Sequence, residues 1–504
     1  MGPVSTTPPT ADVCLILEGT YPYVKGGVSS WVHALIVGLP DVTFALLAVS
    51  SERATKAEVK YELPPNVVSF AEVFIHELID DPGRRCPASE KHAAWQTMKD
   101  FHLTRGAERH THAEALLAAT ADPKRQALSV HDAFYSEDAW KFVLDRYDAQ
   151  AKGTSFIDYF WTWRAVHAPL FQTLIAEIPP ARVYHAISTG YAGLLGVVAK
   201  LRTGRPLLLT EHGIYVRERA IDIARADWIY EEPQRVRVAK PGTNPLKETW
   251  INFFVTLGEL TYRAADAIVT LFAGNERLQH ELGADPARTR VIPNGVDPQH
   301  LAPLRKRRRP PGTRPRRVGF IGRVVPIKDV KTLIKACSIV AVRLPDAEFW
   351  IVGPTDEDPA YHRECEDLAR SLGVTRLEFL GSRDIKTIFP DLDVMVLTSV
   401  SEGQPLTILE AACAGVPTVA TDVGACRELI EGRLPEDVAL GPSGVVTGVG
   451  DPVQTANAIL KLLDDPAFHA RAAAAGAERV DRYYRQAQVL ASYRALYAPH
   501  VGRA

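Results

Sequence analysis

Short apolar runs alternate with helical patterns along most of the chain. In the first half the runs predict strands at residues 13–17, 43–49, 182–187, 206–210 and 267–271. In the second half they predict strands at residues 317–321, 348–352, 394–397 and 416–420. Strands that are separated by helices are typical of parallel α/β sheets. The pattern therefore predicts an α/β protein with two doubly wound domains that face each other across a cleft.

Two segments interrupt this alternation. Residues near 76–178 follow a mainly helical pattern and are rich in His, Trp and Tyr, which predicts a helical insertion in the N-terminal domain. Residues 302–317 contain eight basic residues and four prolines, a composition that favours a linker over a packed core. We predict an N-terminal domain at 11–300, a basic linker at 301–317, a C-terminal domain at 318–480 and a terminal helix at 481–504.

The basic linker admits two interpretations. It is either a solvated segment, extended by repulsion between its own charges, or a surface for an anionic membrane or an acidic partner. The whole chain carries a net charge of −2, which argues against generic nucleic-acid binding. We therefore expect no nucleic-acid partner.

The composition is that of a globular protein. Of the 504 residues 46% are apolar and 23% are charged, and no apolar run approaches the length of a membrane-spanning helix. The first ten residues have neither a basic start nor an apolar core, so we expect a disordered tail rather than a signal peptide, and a cytoplasmic protein. The six cysteines show no metal-ligand spacing and are expected to be reduced.

Two carboxylates eight residues apart, Glu402 and Glu410, mark the segment with the most chemical content. Pro405 suits the first turn of a helix, and the apolar residues after it continue the helical pattern. This places Glu402 in a loop and Glu410 between one and two turns into the helix. The N–H groups near Leu406 and Thr407 lie between them and suit a phosphate. The segment thus matches the sugar, the diphosphate and the ribose of a nucleotide-sugar.

A glycine pair follows the predicted strand at 13–17. Gly26 and Gly27 allow a ligand to approach the backbone closely, and Ser29 or Ser30 can cap the helix that begins here. The spacing differs from the glycine patterns of dinucleotide-binding and phosphate-binding loops. Hydride-transfer and nucleoside-triphosphatase functions are therefore disfavoured.

Two cations follow the predicted strand at 317–321. Arg323 and Lys328 lie just past its C-terminal end, where open α/β sheets bind ligands. Arg323 can grip phosphate oxygens through its planar fork, and Lys328 supplies a compact charge. Together they can offset the charge that grows on a departing nucleoside diphosphate.

Three other motifs have less specific chemistry. His212 follows the predicted strand at 206–210 and can contact a sugar hydroxyl, although a lone histidine is more often structural. Residues 291–297 suggest a hinge. Asp391 and Asp393 spell a metal-binding D-x-D, but they directly precede a strand, so we expect turn positions and no metal site.

These motifs, taken in order along the chain, resemble the retaining GT-B glycosyltransferases of family 4. The resemblance covers nearly the whole chain and implies two Rossmann-like domains, a UDP-sugar donor, retention of anomeric configuration and no metal or other cofactor. It implies that Glu402 and His212 lie against the donor sugar and that Glu410 holds the ribose hydroxyls. Catalytic roles are expected for Glu402, Arg323, Lys328 and His212. Donor-binding roles are expected for Gly26, Gly27, Arg323, Lys328, Glu402, Gly403, Leu406, Thr407 and Glu410.

Two longer phrases narrow the resemblance. Residues 18–31, Glu-Gly-Thr-Tyr-Pro-Tyr-Val-Lys-Gly-Gly-Val-Ser-Ser-Trp, and the segment that begins Thr210-Glu211-His212-Gly213 resemble glycosyltransferases of the bacterial Pel exopolysaccharide system. This implies a growing polysaccharide as acceptor and inner-membrane Pel components as partners. It also implies a last helix that packs back on the N-terminal domain.

Three other functions share parts of this pattern. A UDP-sugar epimerase would isomerise its sugar without an acceptor. A non-catalytic UDP-sugar-binding subunit would bind without turnover. A polyanion-binding protein would owe its affinity to residues 302–317 and lose it with salt.

Overall fold

The structure is a computed structural model of the chain. It describes residues 10–19, 21–24, 26–51, 59–77, 81–104, 107–122, 124–226, 244–308 and 314–502. The chain forms two compact units. Unit 1 comprises the described residues within Met1–Thr270, Arg277–Arg290 and Arg494–Ala504, and unit 2 those within Leu271–Glu276 and Val291–Tyr493. Most of the predicted N-terminal tail lies outside the described residues.

The sheet of unit 1 is parallel. Its strands are β1 (Ala11–Glu18), β2 (Phe44–Ser50), β3 (Val67–Phe74), β4 (Ala181–Ala186), β5 (Leu207–Glu211), β6 (Ala267–Thr270) and β7 (Thr289–Val291). They lie in the order β3-β2-β1-β4-β5-β6-β7. The chain therefore runs from β1 to one edge of the sheet and returns to β4 on the other side of β1, which makes the gap between β1 and β4 a topological switch point.

Helices surround this sheet and form the predicted insertion. The helices are α1 (Gly27–Gly38), α2 (Ala88–Leu103), α3 (Ala107–Ala121), α4 (Val130–Tyr135), α5 (Glu137–Gln150), α6 (Phe156–Ile175), α7 (Tyr191–Thr203), α8 (Tyr215–Arg225), α9 (Pro245–Ala264) and α10 (Ala273–Glu281). Helices α2 to α6 lie between β3 and β4 and form the insertion. Serines cap several of them: Ser129 closes a capping box with Asp132, and Ser155 accepts from the Asp158 N–H.

Unit 2 repeats the architecture with a smaller parallel sheet. Its strands are β8 (Arg317–Ile321), β9 (Glu348–Val352), β10 (Leu377–Gly381), β11 (Val394–Leu397), β12 (Thr418–Thr421) and β13 (Gly444–Thr447), in the order β10-β9-β8-β11-β12-β13. The switch point lies between β8 and β11. The helices are α11 (Pro298–Leu301), α12 (Val330–Arg343), α13 (Pro359–Ser371), α14 (Ile385–Ile388), α15 (Leu406–Cys413), α16 (Cys426–Glu431), α17 (Pro435–Val438), α18 (Pro452–Asp464), α19 (Pro466–Tyr483) and α20 (Gln486–Val501). The predicted Rossmann-like α/β fold class with a helical insertion is confirmed.

The basic segment before β8 packs on unit 2. The guanidinium of Arg314 is 7% exposed and donates to both carboxylate oxygens of Asp393, at 2.8 and 3.1 Å. Arg305 donates to the Cys413 carbonyl at 2.6 Å. The expectation of a solvated segment is therefore wrong for these two arginines. Arg314 pairs with a carboxylate, and Arg305 donates to a carbonyl at the end of α15. Residues 309–313 lie outside the described residues.

The end of α20 packs within unit 1. The Tyr497 hydroxyl lies 2.7 Å from His185 Nδ1, and Arg182 donates to the Val501 carbonyl at 2.9 Å. Arg494 pairs with Asp41. None of the helices in the described ranges combines the length and apolar character that crossing a bilayer requires.

Candidate active site

The switch point of unit 2 brings the predicted cations and the first predicted carboxylate to one edge of the sheet. Arg323 and Lys328 follow β8, and Glu402 follows β11, the neighbouring strand. The two loops are joined directly, because the Val400 N–H donates to the Ile327 carbonyl at 2.9 Å. The carboxyl ends of the strands thus form one surface at the position where doubly wound sheets bind ligands.

Lys328 and Glu402 are in contact with each other. Lys328 Nζ lies 2.5 Å from Glu402 Oε1, and the same oxygen accepts from Ser399 Oγ at 2.5 Å. The side chains are 18% and 10% exposed. Their contact fixes an ammonium group and a carboxylate at the sheet edge with little solvent around them.

Arg323 has a different setting. Its guanidinium pairs with Glu357 at 2.7 Å, and the two side chains are 53% and 43% exposed. Such an exposed pair contributes little to stability. Arg323 is thus a solvent-accessible cation, in contrast to the largely buried pair of Lys328 and Glu402.

Two glycines that the sequence did not single out shape these loops. Gly353, at φ +146°, packs so closely on the loop after β8 that a Cβ would lie 1.9 Å from the Gly322 carbonyl oxygen. Gly424, at φ +55°, would place a Cβ 2.2 Å from the Glu402 carbonyl oxygen. A side chain at either position would displace the backbone that carries Arg323 or Glu402. The sequence did contain a signal for both. Gly353 follows the predicted strand at 348–352, and Gly424 follows the predicted strand at 416–420.

Helix α15 begins at Leu406, so the predicted helix is present, but Pro405 is its N-cap residue rather than part of the first turn. Pro405 precedes it and no side chain caps its N-terminus, so the amides near Leu406 and Thr407 keep their predicted position at the sheet edge. The loop is held by Gln404, which accepts from the Asn294 N–H at 2.5 Å. The predicted hinge stretch at 291–297 is therefore bonded to the loop that carries Gly403.

Glu410 lies half-buried in α15. Burial is the cause that raises the pKa of this carboxyl from 4.5 to about 7. A carboxyl in this state gains much from hydroxyl donors, since they stabilise the charged form that burial disfavours. The arrangement suits the two hydroxyls of a ribose.

Gly26 and Gly27 lie at the start of α1 in unit 1. The helix begins at Gly27 and has no side-chain cap, so the predicted cap by Ser29 or Ser30 is wrong; both serines are already in its first turn. A Cβ built on either glycine meets no atom of the described residues within 4 Å. Packing in unit 1 therefore leaves this backbone face accessible to a ligand.

His212 follows β5 in unit 1. Its ring packs edge-on against Trp31, with 4.6 Å between ring centroids. Burial lowers the pKa of His212 to about 4, so the imidazole is neutral at physiological pH. His212 can therefore offer a hydrogen bond but no charge.

Two carboxylates near the unit 1 switch point escaped the sequence reasoning. Glu211 is 1% exposed and accepts from Tyr262 at 2.5 Å, from Gln279 at 2.9 Å and from Thr189 at 3.0 Å. Burial raises its pKa against these hydrogen bonds, which lower it.

Glu18 bridges β1 and the segment after β4. It accepts from the Ala192 N–H at 3.1 Å and from the Tyr215 hydroxyl. Its pKa is also raised, mainly by burial. A glutamate at a strand end is the signal that could have identified both Glu18 and Glu211.

The D-x-D motif serves the fold. Asp393 accepts from Arg314 and, at 2.8 Å, from the Arg317 N–H, and Asp391 lies 3.5 Å from the Arg317 guanidinium. In the part of the chain that the structure describes, no three His, Cys, Asp or Glu side chains are grouped as metal ligands.

Comparisons with known protein families divide the chain in two. Residues 11–287 match the family described as "Domain of unknown function (DUF3492)". Residues 315–465 match the family "Glycosyl transferases group 1". The second match contains the loop and helix that carry Arg323, Lys328, Glu402 and Glu410.

Two curated relatives each match less than half of this chain. A D-inositol 3-phosphate glycosyltransferase of Corynebacterium kroppenstedtii is 29% identical over 39% of this chain and 45% of its own length. Another, from Stackebrandtia nassauensis, is 31% identical over 44% of this chain and 51% of its own length. The chain thus spans about half the length of these relatives.

Solved structures are similar over nearly the whole chain. Sucrose-phosphate synthase from Thermosynechococcus elongatus matches with a TM-score of 0.58 at 18% identity, over 97% of this chain and 98% of its own. Anabaena HepE in complex with UDP-glucose matches with a TM-score of 0.56 at 16% identity, over 97% of this chain and 99% of its own. These likenesses confirm the GT-B fold class.

Proposed function

Because the chain belongs to the family described as domain of unknown function DUF3492, and its C-terminal region to the group 1 glycosyltransferases, we propose that it transfers a hexose or N-acetylhexosamine from a UDP-sugar. The transfer retains the anomeric configuration and needs no metal. The acceptor is a growing exopolysaccharide chain.

One observation carries this proposal. Four features follow β8 and β11, the strands on either side of the switch point of unit 2: the contact of Lys328 with Glu402, the exposed guanidinium of Arg323, the uncapped N-terminus of α15 and a carboxyl with a raised pKa in that helix. Their order matches a sugar, a diphosphate and a ribose. HepE binds UDP-glucose, which supports a UDP-sugar as donor.

The roles follow from the contacts of each group. The Lys328 ammonium has three N–H donors. One donates to Glu402, and two remain for phosphate oxygens. Glu402 Oε1 holds Lys328, and Oε2 takes a hydroxyl of the donor sugar. Arg323 exchanges Glu357 for phosphate, the amides near Leu406 and Thr407 bind the diphosphate, and Gly403 lets the sugar approach.

Three predicted residues lie in unit 1 and keep their assigned roles as part of the proposal. Gly26 and Gly27 offer backbone to the diphosphate, and His212 offers a neutral hydrogen-bonding group to the donor sugar. The neutral state matters, because a charged imidazole would compete with the cations for phosphate.

The reaction is displacement at the anomeric carbon. The acceptor hydroxyl attacks on the face from which UDP leaves, the bond to the β-phosphate oxygen breaks, and that phosphate takes the hydroxyl proton. Lys328 and Arg323 stabilise the charge on the departing UDP, so catalysis rests on positioning and electrostatics.

We further propose that this enzyme acts in Pel exopolysaccharide synthesis. The two phrases around Gly26-Gly27 and His212 resemble PelF, the glycosyltransferase of that system. We propose a cytoplasmic enzyme, placed peripherally at the inner membrane by Pel components.

The test is a panel of UDP-glucose, UDP-N-acetylglucosamine and UDP-N-acetylgalactosamine with the purified protein. UDP release and product mass are measured with and without an oligosaccharide acceptor. Transfer of one sugar to the acceptor is expected. An isomerised sugar without acceptor would identify an epimerase, and a thermal shift with UDP-sugar but no turnover would identify a binding subunit.

A further inference from the structure

The helical insertion of unit 1 contains a cavity of about 890 Å³. Its wall is built mainly by α2, α3, α5, α6 and α9, and none of the residues assigned to the nucleotide-sugar site lines it. Sites for small organic ligands have volumes of about 300–1,000 Å³. The cavity is therefore large enough for an organic molecule and separate from the proposed transfer site.

Arg146, on α5, is the most informative group in this wall. The residue is 8% exposed and lines the cavity, and its side chain makes no hydrogen bond or ion pair with any residue that the structure describes. A guanidinium carries five N–H donors and a charge that is unfavourable in a largely apolar setting without a partner. An anion in the cavity would supply that partner.

A second guanidinium faces the same space. Arg109 donates to Thr256 Oγ1 at 2.8 Å and lies 4.8 Å from the centroid of the Phe101 ring. Both Arg109 and Arg146 act electrostatically on His102, which also lines the cavity. The two cations therefore converge on one part of the wall.

The other titratable groups compensate only one of these two positive charges. Burial lowers the pKa of His102 to about 3 and that of His167 to about 4, so both imidazoles are neutral at physiological pH. Glu248 is the acidic residue among those that line the cavity. Two permanent cations against one carboxylate exclude a metal cation as the ligand and favour an anion.

The rest of the wall is apolar and aromatic. Trp163 stacks on His167 at 4.6 Å between centroids, and its side chain is 7% exposed. The apolar lining continues through Met98, Leu116, Leu170, Phe171, Leu194 and Leu260. A small inorganic anion would leave this surface unfilled.

We propose that this cavity binds an organic anion, whose carboxylate or phosphate head pairs with Arg146 and Arg109 and whose apolar body packs against Trp163 and the leucines. The chemistry fits a fatty carboxylate and a lipid-type phosphate equally. The two sources are separated by experiment.

The test is calorimetric titration of the full chain with five probes: octanoate, octyl phosphate, 1-octanol, inorganic phosphate and UDP. We expect one equivalent of octanoate or octyl phosphate to bind at least about tenfold more tightly than 1-octanol, a ratio typical of one desolvated charged contact. The stronger of the two anions identifies the head group. Equal affinity for 1-octanol, or displacement of octyl phosphate by UDP, would overturn the proposal.

Arg146→Met tests the role of the charge. If Arg146 is a ligand group, the variant loses the preference for the anionic probes and melts at a higher temperature, because an uncompensated buried charge is replaced by an apolar chain of similar length. A lower melting temperature, together with unchanged octanoate and octyl phosphate binding, would make Arg146 structural and refute the site.

Two further variants complete the design. Arg109→Gln keeps a polar group and should weaken the anionic probes severalfold, so the proposal stays testable if Arg146→Met does not fold. Arg125→Gln is the matched control, since Arg125 lies in the same insertion but is 74% exposed, and it should leave binding unchanged. Loss of binding in the control alone would contradict the assignment. None of these results depends on sugar transfer.

Discussion

The switch-point edges of the two units use charge in opposite ways. In unit 2 the edge carries Lys328, Glu402 and Arg323; Lys328 and Glu402 pair with each other, Glu402 also accepts from Ser399, and Arg323 pairs with Glu357. In unit 1 the edge carries Glu18 and Glu211, and both are surrounded by hydroxyl, amide and backbone donors. The same topology therefore gives unit 2 an edge whose charges are available to a ligand. It gives unit 1 an edge whose carboxylates are already hydrogen-bonded within the protein.

This difference suggests a structural role for the unit 1 carboxylates and a ligand-binding role for the unit 2 charges. A carboxylate with three or four internal donors has little capacity left for a ligand, so Glu211 fixes the shape of the segment that carries His212. A pair such as Lys328 and Glu402 keeps free donors and acceptors. Substitutions in unit 1 should therefore lower stability first, and those in unit 2 should lower activity first.

The largest effect is expected for Glu211→Ala. The change strands the Tyr262 hydroxyl, the Gln279 amide and the Thr189 hydroxyl in the core, at about 1 kcal/mol or more each, so a loss of at least about 3 kcal/mol is expected. Chemical denaturation measures it. Glu114→Ala, at a carboxylate that is 68% exposed, is the control and should change stability by less than about 0.5 kcal/mol. A loss at Glu211 no greater than at Glu114 would abolish the contrast between the units.

The sequence pattern predicted the strands that are buried on both faces. Residues 317–321, 348–352 and 394–397 have the predicted limits, because apolar runs of this kind form central parallel strands. It missed β3 and β10, whose side chains are mostly half-exposed and which include Glu72 and Glu378. Edge strands lack the continuous apolar run on which the prediction rested.

The candidate site was predictable where chemistry and strand ends coincide in the sequence. Lys328 and Glu402 are 74 residues apart and meet because β8 and β11 are neighbours, which follows from the strand order rather than from either segment. The pairing of Arg314 with Asp393 was not predictable, since composition gave the basic segment its charge and no information on its partners. The Arg146 cavity was equally hidden, because its wall comes from six separate helices.

Lys328→Ala should have the largest effect on activity. It removes the cation that contacts Glu402, and loss of one such group is expected to lower transition-state stabilisation by about 2–4 kcal/mol, or about 30-fold to 10³-fold in rate. UDP release with the donor selected from the panel measures it. Lys331→Ala is the matched control, since Lys331 makes an exposed pair with Glu364 on the same side of β8. Activity equal to that of the control would contradict the assignment of Lys328.

Glu410→Gln should raise stability while weakening donor binding. The folded carboxyl, with its pKa near 7, still holds a proton that the unfolded chain loses above about pH 4.5. Stability therefore falls as pH rises from 4.5 to 7, and the full penalty, up to about 3 kcal/mol, is present above pH 7.

The glutamine variant lacks this pH slope. In chemical denaturation its free energy of unfolding should match that of the wild type at pH 5 and exceed it at pH 8. UDP binding at pH 7 should release more protons from the wild type than from the variant, in calorimetry across buffers of different ionisation enthalpy, because the phosphate of UDP contributes equally to both. The exposed Glu378→Gln is the control. A wild-type pH slope in Glu410→Gln would show that the carboxyl is ionised throughout.

The smallest stability effect is expected at the pair of Arg323 and Glu357, and it sharpens the comparison most. Both side chains are about half exposed, so Glu357→Ala should change the free energy of unfolding by less than about 1 kcal/mol. Because the proposed role of Arg323 is to leave this partner for phosphate, Glu357→Ala should keep UDP release near the wild-type rate, whereas Arg323→Ala should lower it. Equal losses of UDP release in the two variants would mean that activity requires the ion pair of Arg323 with Glu357 rather than the guanidinium alone. The unit 2 edge would then hold its charges in internal contacts, as the unit 1 edge does.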